Sequence, residues 1–516
     1  MRSALLTSLF LAALSLPLLG GTLLPYAPTP ESVPSQDYTV TVDGQPIPVE
    51  RLGAISYARF QFTGQVQVAI RASHPIAHST ISPVSYQIPA TTTGDTLSFP
   101  LTQPRSLIIS VDALDQLLLF ADSPETDAPA SSGPGIINLA TYLPPHRPLD
   151  TPVTAAFQKA LDDTSALHHG AGGTLYVPPG LYLTGQLTLR SHVHLYLPAG
   201  VLLRSVAPFT PQNFPRQGTN PVDSSFLFIS DATGASLTGR GVIDGNGLAV
   251  RQGDPTANVK LLRAVRSSAL RISGLYFRNS SRWSLHLLHS DDVTLQDIKL
   301  INDTRGQPTP QGFRKFLVTN TDGLDIDASS HVTLRDSFIY TGDDATTIKV
   351  TGYLHLQRPC DHITIQHNVL WSYKCGIRIG DETRDDLHDI TFRDNDIVHS
   401  DRAIAIYSRD GGRLFNLNLL NNRTEYVGGD SSQRLFLLRV ETLPKGPPPG
   451  PIQHVLIRDF FALQPAPQPS TIAGLDPTAQ VTDITFENIV ISGTRAQSLH
   501  DIPLDLKNFT DRILLH

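Results

Sequence analysis

Short segments in which apolar and polar residues alternate recur along most of the chain, and they predict a protein built mainly from β-strands. Between residues 38 and 120, such segments are separated by Pro, Gly and Asp turns about every ten residues, as at 38–42 and 65–70. This spacing is typical of a small antiparallel β-sandwich, which we place at 36–122. Residues 123–136 are rich in Pro, Ser and Gly and are predicted to be a linker.

One segment has the spacing of a helix instead. Apolar residues recur at intervals of three and four from Val153 to Leu161, which predicts a helix over 150–167. Asp150 or Thr151 is placed to cap its first turn. We expect this helix to cover the N-terminal end of the fold that follows and to protect an otherwise open strand edge.

From residue 270 onward a strand motif repeats, with β-formers on both sides of a polar residue that is usually Asp or Asn. The copies are spaced by 23 to 41 residues and begin at Leu270, Val293, Val332, Ile363, Ile390, Leu414, Val455 and Ile484. Repeats of this length without helices between them predict a solenoid of strands, since a propeller blade needs four strands in about 40 to 45 residues. The predicted fold is therefore all-β: a parallel β-helix over 137–516, preceded by the sandwich.

Charge and cysteine content exclude several classes of function. Only 17% of the 516 residues are charged and the net charge is −7, which does not suit binding to nucleic acid or to anionic membranes. Cys360 and Cys375 are the two cysteines; whether they pair is left open, but they cannot be the framework of so long a chain. No Cys/His spacing indicates a metal, and we expect no cofactor.

The N-terminus has the pattern of a secretory signal peptide, which we place at 1–24. Arg2 precedes an apolar stretch from Ala4 to Leu19 that is interrupted by Pro17. The stretch is short for a membrane span of about 20 residues, although an uncleaved anchor is the alternative. We therefore expect a secreted or periplasmic protein without a further membrane span.

Three aspartates carry the candidate chemistry. Asp322 lies in the segment NTDGLD at 320–325, and Asp343 and Asp344 lie in GDD at 342–344, with Lys349 soon after. Because 21 residues correspond to about one coil, a solenoid would place Asp322 and Asp343 on adjacent rungs. Carboxylates packed so closely repel, which raises the pKa of at least one. Hydrolysis of a glycosidic bond needs this combination of a protonated and an ionised carboxyl. The alternative is that they are solvated turn residues or coil-corner residues.

At these residues the chain resembles glycoside hydrolase family 28, the polygalacturonase family. The motifs NTDG, GDD and the Ile-Lys at 348–349 carry the resemblance, and GRGVIDGNG at 239–247 and NSSRW at 279–283 extend it. It covers about 137 to 516, and it implies that the solenoid is a right-handed, pectin-lyase-like β-helix. The sandwich resembles the extra N-terminal domain of some bacterial relatives and of glycoside hydrolase family 49.

The resemblance implies an inverting mechanism with named roles. Asp343 would be the general acid, and Asp322 and Asp344 would position and deprotonate the attacking water. Asn320 would orient the cluster, and Lys349 would balance charge or contact the substrate.

Two departures from the family bear on the substrate. Where the family has Gly-His-Gly, this chain has Lys-Cys-Gly at 374–376, and where it has Arg-Ile-Lys, this chain has Ala-Ile-Tyr at 405–407. A guanidinium binds a carboxylate in bidentate fashion, so an arginine nearby could hold a uronate, whereas a tyrosine could stack on a neutral sugar. Glu382 would be either a substrate contact or a structural acid. The predicted substrate-binding residues are Asn320, Lys349, Arg378, Glu382, Arg402, Tyr407 and Arg409.

The sequence therefore predicts a monomeric glycoside hydrolase that acts on a polysaccharide or oligosaccharide, with a pectic substrate favoured. A hydrolase of a neutral glucan such as dextran is one alternative. A polysaccharide lyase and a non-catalytic carbohydrate-binding solenoid are the others.

Overall fold

The structure is a computed structural model that describes residues 21–217, 223–254, 256–302, 317–429, 431–444 and 446–516. Most of the predicted signal peptide lies outside these residues, so it stays a prediction. Within the described ranges, none of the helices has the length and apolar character needed to cross a membrane.

The N-terminal part consists of two packed sheets. One has the order β2-β5-β6-β12-β11-β8 with β1 beside β6, and the other has the order β4-β3-β7-β10-β9. Among the described strands of these sheets, β6 and β12 form the single parallel pair, so the predicted antiparallel sandwich is mixed at this ladder. Side chains from both sheets, including Phe60, Phe99 and Leu119, form the core between them. The strands are β1 (Leu23–Pro25), β2 (Val33–Pro34), β3 (Tyr38–Val42), β4 (Gln45–Ile47), β5 (Val49–Leu52), β6 (Ile55–Phe62), β7 (Val66–Ala72), β8 (Ser79–Ser82), β9 (Thr91–Thr93), β10 (Thr96–Leu101), β11 (Arg105–Val111) and β12 (Gln116–Asp122).

The predicted helix is present as α1 (Thr154–Gly170), but its predicted start is wrong. It begins after Val153, and neither Asp150 nor Thr151 caps it, because Pro152 disfavours helical backbone at the residue before it. Its regular geometry ends before Leu167, close to the predicted end. The apolar face of α1 packs on the first strands of the solenoid, as expected. A second short helix, α2 (Gly247–Gln252), was not predicted.

The rest of the chain forms the predicted parallel β-helix. A sheet of 23 strands runs in chain order from β13 to β46, and a second sheet of 11 strands joins β16, β19, β22, β25, β28, β31, β34, β37, β40, β42 and β45. A full coil therefore contributes three strands, as β26, β27 and β28 do. The strands are β13 (Ile136–Asn138), β14 (Gly173–Tyr176), β15 (Gly180–Thr184), β16 (Leu187–Leu189), β17 (Val193–Leu197), β18 (Val201–Ser205), β19 (Asp223–Ser230), β20 (Ser236–Gly239), β21 (Val242–Asp244), β22 (Asn258–Val265), β23 (Ser268–Ser273), β24 (Tyr276–Arg278), β25 (Leu285–Leu288), β26 (Asp291–Gln296), β27 (Lys299–Ile301), β28 (Leu324–Asp327), β29 (Ser330–Arg335), β30 (Phe338–Thr341), β31 (Thr346–Val350), β32 (Cys360–Gln366), β33 (Val369–Ser372), β34 (Cys375–Thr383), β35 (Leu387–Arg393), β36 (Asp396–Ser400), β37 (Arg402–Ser408), β38 (Leu414–Leu420), β39 (Arg423–Val427), β40 (Arg434–Val440), β41 (Ile452–Ala462), β42 (Ser470–Ala473), β43 (Val481–Ile491), β44 (Thr494–Arg495), β45 (Leu504–Leu506) and β46 (Thr510–Leu515).

The polar residue of each repeat has a structural explanation. Asp297, Asp336, Asp394 and Asn421 lie at the corner between two strands of their coils and have positive φ angles of 50° to 58°. Asn and Asp tolerate this left-handed conformation better than other side chains with a Cβ. The repeat therefore marks a corner of each coil.

A buried ladder of asparagines stabilises the same region of successive coils. Asn368 Nδ2 donates to Asn395 Oδ1 at 2.9 Å, and Asn395 Nδ2 donates to Asn422 Oδ1 at 2.9 Å. All three side chains are buried, so their amides satisfy one another in place of water.

The sandwich packs on the outer surface of the solenoid. The ring of Phe120 contacts those of Tyr276 and Phe338, with centroids 5.5 Å and 5.0 Å away. Beside them, the buried carboxylate of Asp122 accepts from Lys299 Nζ at 2.5 Å. These contacts hold the sandwich against one side of the coils.

Candidate active site

The site is built on the 11-stranded sheet, where β28, β31, β34 and β37 stack as neighbours. Alternation along β28 points Leu324 and Ile326 into the core of the solenoid. It points Asp325 and Asp327 to the opposite side of the sheet, where both carboxylates are buried. The outer surface of this sheet therefore carries the polar residues of the site.

The three predicted catalytic aspartates meet at the start of these strands. Asp322 precedes β28, and Asp343 and Asp344 precede β31 on the next coil. Carboxylate oxygens of the three residues lie within 4.8 Å of one another. The glycine of the NTDG motif permits this approach, because a Cβ on Gly323 would lie 2.3 Å from the carbonyl oxygen of Ala345.

Burial and mutual repulsion shift the proton affinities of two of these acids. Burial, followed by the charges of Asp325 and Asp343, raises the pKa of Asp322 well above its usual value. Burial and the neighbouring Asp344 raise the pKa of Asp343 to about 6, although the Asp344 N–H opposes this. Asp343 is the most exposed of the three catalytic aspartates. The cluster therefore keeps a proton close to neutral pH.

Asp344 differs from its neighbours because it has a cationic partner. Its Oδ2 lies 3.2 Å from Arg378 Nη1, and its Oδ1 accepts from the backbone N–H of Cys375 at 2.9 Å. Both partners come from β34, and Cys375 lies in the stretch where the family has its Gly-His-Gly segment. They fix the position of the Asp344 carboxylate.

Cys375 and Cys360 are both free and buried, so the two do not form the disulfide that the sequence left open. Burial raises the pKa of each thiol.

Lys349 lies in β31 and its side chain is buried. Its Nζ is 2.9 Å from Asp325 Oδ1, 3.6 Å from Glu382 Oε2 and 4.0 Å from the ring centroid of Trp283. Burial opposes its charge, but Asp325 and Glu382 outweigh burial and raise the pKa of Lys349 well above its usual value. Lys349 thus balances the charge of the acids, and Glu382 is one of its partners.

The three arginines predicted to bind substrate have different surroundings. Arg378 pairs with Asp344 and, through Nη2 at 2.9 Å, with Asp381. Arg409 donates to Asp381 and lies 3.1 Å from Glu441. The Nε of Arg402 lies 3.4 Å from Asp401.

Tyr407 and Asn320 complete the predicted set. Tyr407 is 7% exposed, and the guanidinium of Arg378 lies 4.8 Å from its ring centroid, which favours support of Arg378 over an open stacking surface. Asn320 is exposed and its Oδ1 accepts from Arg282 Nη1 at 3.0 Å.

Three further acids of the site were not predicted. Burial raises the pKa of Asp325 to about 6 against the opposing charge of Lys349, and burial raises that of Asp327 to about 7 although Thr351 donates to its carboxylate. Asp381 bridges two arginines. The alternation Leu-Asp-Ile-Asp at 324–327 indicates Asp325 and Asp327, since it places both on the polar side of a strand.

The fold and the clustered acids together define a pectin-lyase-like parallel β-helix with an acidic site on one sheet. The model of the family described as Glycosyl hydrolases family 28 matches residues 172–418, just under half of the chain. This match confirms the resemblance that the motifs indicate, and it includes all the predicted site residues.

Among curated proteins, the chain is 28% identical over 273 residues to a "Probable polygalacturonase" of Vitis vinifera, covering 49% of this chain and 53% of the relative. It is 26% identical over 287 residues to a "Polygalacturonase" of Ralstonia solanacearum, covering 46% and 53%. The chain thus spans about half the length of these relatives.

Solved structures support the fold. An exopolygalacturonase of Thermotoga maritima matches with a TM-score of 0.55 and 18% identity, over 70% of this chain and 93% of that one. Dex49A of Penicillium minioluteum matches with a TM-score of 0.58 and 12% identity, over 95% and 96%. At these identities the likeness concerns the fold alone.

Proposed function

We propose that this protein is a glycoside hydrolase that cleaves a pectic polysaccharide by inversion, with Asp322, Asp343 and Asp344 as its acid/base groups. The observation that carries the proposal is the cluster of three carboxylates within 4.8 Å, of which one pairs with an arginine and two have raised pKa values. The polygalacturonase relatives favour the pectic substrate.

The surroundings of each acid suggest its role in the reaction. Asp343 is the most exposed of the three and keeps its proton up to a pH of about 6, so it is suited to protonate the leaving glycosidic oxygen. Asp344, paired with Arg378, orients the attacking water. Asp322 takes the proton that the water releases, which it can do in the form of the cluster in which Asp343 carries the proton and Asp322 is ionised. Because Asp322 and Asp343 are coupled, the pair titrates as a unit.

The stereochemical outcome rests on the family resemblance. Inverting enzymes with two carboxyl groups usually separate them by about 6.5–9.5 Å, and retaining enzymes by about 5–5.5 Å. Oxygens within 4.8 Å fit neither interval, so this spacing does not select between them. Proton NMR of the first anomer released from an oligogalacturonide tests the proposal, since inversion requires the β-anomer from an α-linked substrate.

The surroundings of the three arginines favour Arg402 as the cation for a uronate carboxylate. Arg378 and Arg409 each contact two carboxylates of the protein, whereas the Asp401 beside Arg402 also accepts from backbone N–H groups of Ser432 and Gln433. An arginine whose partner is already satisfied loses less on turning to a ligand.

One observation favours the alternative of a neutral glucan. At the positions of the family's Arg-Ile-Lys, Ala405 and Tyr407 join Cys375 and Leu437 in a buried apolar cluster. This arrangement supplies no cation where the family has two. A hydrolase of dextran-like chains is therefore the second candidate.

A reducing-sugar assay on polygalacturonate, dextran and galactan tests both candidates. The parent is expected to release sugars from polygalacturonate, and Asp343→Asn to be slower by about 10²- to 10⁴-fold. Asp336→Asn is the matched control, because Asp336 lies at a coil corner outside the cluster. Release from dextran alone would favour the neutral glucan, and equal rates in parent and Asp343→Asn would contradict the acid/base assignment. Products that absorb in the ultraviolet would indicate a lyase.

We also propose that the protein acts outside the cytoplasm, as a secreted or periplasmic enzyme. The signal-like pattern at 1–24 supports this, and N-terminal sequencing of the exported protein tests it, since retention of Met1 would contradict cleavage.

A further inference from the structure

A chain of alternating charges leads away from Asp344 across three coils. Asp344 pairs with Arg378 at 3.2 Å, and Arg378 pairs with Asp381 at 2.9 Å. Asp381 in turn accepts from Arg409, whose Nε lies 3.1 Å from Glu441. Arg439 closes the chain, with its Nε 2.9 Å from the second oxygen of Glu441.

The chain fixes the guanidinium of Arg378 from several sides. Nη1 faces Asp344 and Nη2 faces Asp381, so the two terminal nitrogens are anchored at opposite ends. The ring of Tyr407 lies against the guanidinium, with its centroid 4.8 Å from Cζ. The side chain is only 11% exposed. Two anchors and one packed ring leave a planar group little freedom to rotate.

We propose that Asp381 and Arg409 are positioning residues of the active site, which act through Arg378 to hold the Asp344 carboxylate in place. This inference rests on the proposed function, because Asp344 matters to the reaction only if the cluster hydrolyses glycosidic bonds. Neither residue contacts the three aspartates. Their effect is carried by the position of one guanidinium.

The attraction between Arg378 and the Asp344 carboxylate depends on the distance between them. If Asp381 loses its charge, Nη2 loses its partner and the guanidinium can turn toward solvent or toward another acid. The distance to Asp344 then grows, and the stabilisation of its negative charge falls with it. Arg409 compensates the charge of Asp381 and so helps to keep Asp381 in place beside Arg378.

Other charged groups face the same carboxylate and must stay constant in a test. Asp343 precedes Asp344 in its own coil, and Asp322 faces it from the preceding coil. Arg402 and the thiol of Cys375 face it from later coils. Among the described interactions, none of these residues contacts Arg409. Variants at Arg409 therefore test the chain of ion pairs alone.

The experiment measures kcat and KM on polygalacturonate for Asp381→Asn, Arg409→Gln and Arg409→Lys. We expect the first two to lower kcat by about 10- to 100-fold, the effect of a small misplacement of a catalytic group. KM should change less than about twofold, because the two residues act through Arg378 and not on the substrate. Arg409→Lys should restore part of the loss.

The chain offers a matched control. Arg413 and Asp386 form a pair between neighbouring coils at 2.6 Å, of the same kind as Arg409 with Asp381 but away from the site. Asp386→Asn and Arg413→Gln should leave kcat and KM unchanged. A raised KM with unchanged kcat in the Asp381 and Arg409 variants would make these residues substrate contacts. Equal behaviour of both pairs would make the chain merely structural. Either result overturns the inference.

A second measurement does not depend on activity. With ¹³C-labelled aspartate, the signal of the Asp344 carboxyl carbon can be followed by NMR in the parent and in Asp381→Asn. A signal that shifts in Asp381→Asn, but not in Asp386→Asn, supports the inference even if no substrate is cleaved. An unchanged signal overturns it. A parent that cleaves no polysaccharide contradicts the proposed function alone.

Discussion

Lys349 Nζ lies 2.9 Å from Asp325 Oδ1, and both side chains are buried. Each group has lost most of its hydration, so each depends on the other for compensation. The charges of this buried ion pair act on the neighbouring carboxyl of Asp322.

Replacing Lys349 alone should destabilise the fold. Lys349→Met leaves the Asp325 carboxylate buried without its cation, and we expect a loss of about 3–5 kcal/mol in the free energy of unfolding at pH 8. The double variant Lys349→Met/Asp325→Asn removes both charges and should recover a large part of that loss. Urea unfolding, followed by fluorescence, gives the free energy of unfolding of the parent, Lys349→Met, Asp325→Asn and the double variant. A double variant no more stable than Lys349→Met would contradict the pairing.

The pH dependence of hydrolysis should follow the proton on Asp343. The pKa of this group is raised to about 6, and the proposed mechanism needs its protonated form. Activity should therefore fall as pH rises through about 6, with one proton lost. The measurement is kcat/KM on polygalacturonate from pH 4 to 8, with melting curves at each pH to show that the fold persists. An activity that increases between pH 6 and 8 would exclude Asp343 as the general acid.

The solenoid was predictable because its signal is local and repeated. The strand motif and its polar corner, as at Asp336 or Asn421, follow from alternation and from the backbone that Asp and Asn tolerate. The meeting of Asp322 and Asp343 followed from the coil length. Both predictions depend only on residues that lie within one repeat of each other in the sequence.

The partners of the site residues could not be predicted in this way. Arg378 was expected to face substrate, yet it pairs with Asp344 and Asp381, and the sequence does not fix where a long flexible side chain ends. Asp381 lies in an irregularity of the ladder between β31 and β34, where β34 has extra residues between Ile379 and Thr383, and the strand pattern does not predict such a bulge. The start of α1 was missed because the effect of Pro152 on its neighbour outweighed the caps.

Asp322 should destabilise the fold at a pH above its raised pKa, where its buried carboxyl must ionise. A carboxyl whose pKa is raised in the folded state is stabilising below its unfolded pKa, and this contribution is lost as pH rises through the folded value. Asp322→Asn removes the charge at nearly constant volume, so it should stabilise the protein by about 1 kcal/mol at pH 8. The gain should vanish at pH 4.

The same variant should lose activity, because an amide cannot accept the proton from water. We expect a decrease of about 10²-fold or more in kcat on polygalacturonate. Calorimetric melting at pH 4 and pH 8 is compared with that of Asp336→Asn, a coil-corner change that should alter neither property. A lower melting temperature of Asp322→Asn at pH 8 would show that the carboxylate is stabilising, contrary to this prediction.

Asp122 should couple the sandwich to the solenoid through charge. Burial alone would raise its pKa, but Lys299 and Arg240 outweigh burial and hold the pKa below its usual value. Stability from this group is therefore present above the unfolded pKa and is lost as pH falls through the folded one. Asp122→Asn removes one of two carboxylates beside Lys299, which keeps Asp297 at 2.6 Å, and should cost about 1–3 kcal/mol at pH 7.

An exposed pair of the same chemistry serves as the control for Asp122. Asp127 lies 2.9 Å from Arg271, and both side chains are more than half exposed, so Asp127→Asn should change stability by less than about 1 kcal/mol. Limited proteolysis at pH 7 should release the sandwich from Asp122→Asn faster than from the parent or from Asp127→Asn. Equal rates in all three proteins would mean that the apolar contacts of Phe120 alone hold the sandwich in place.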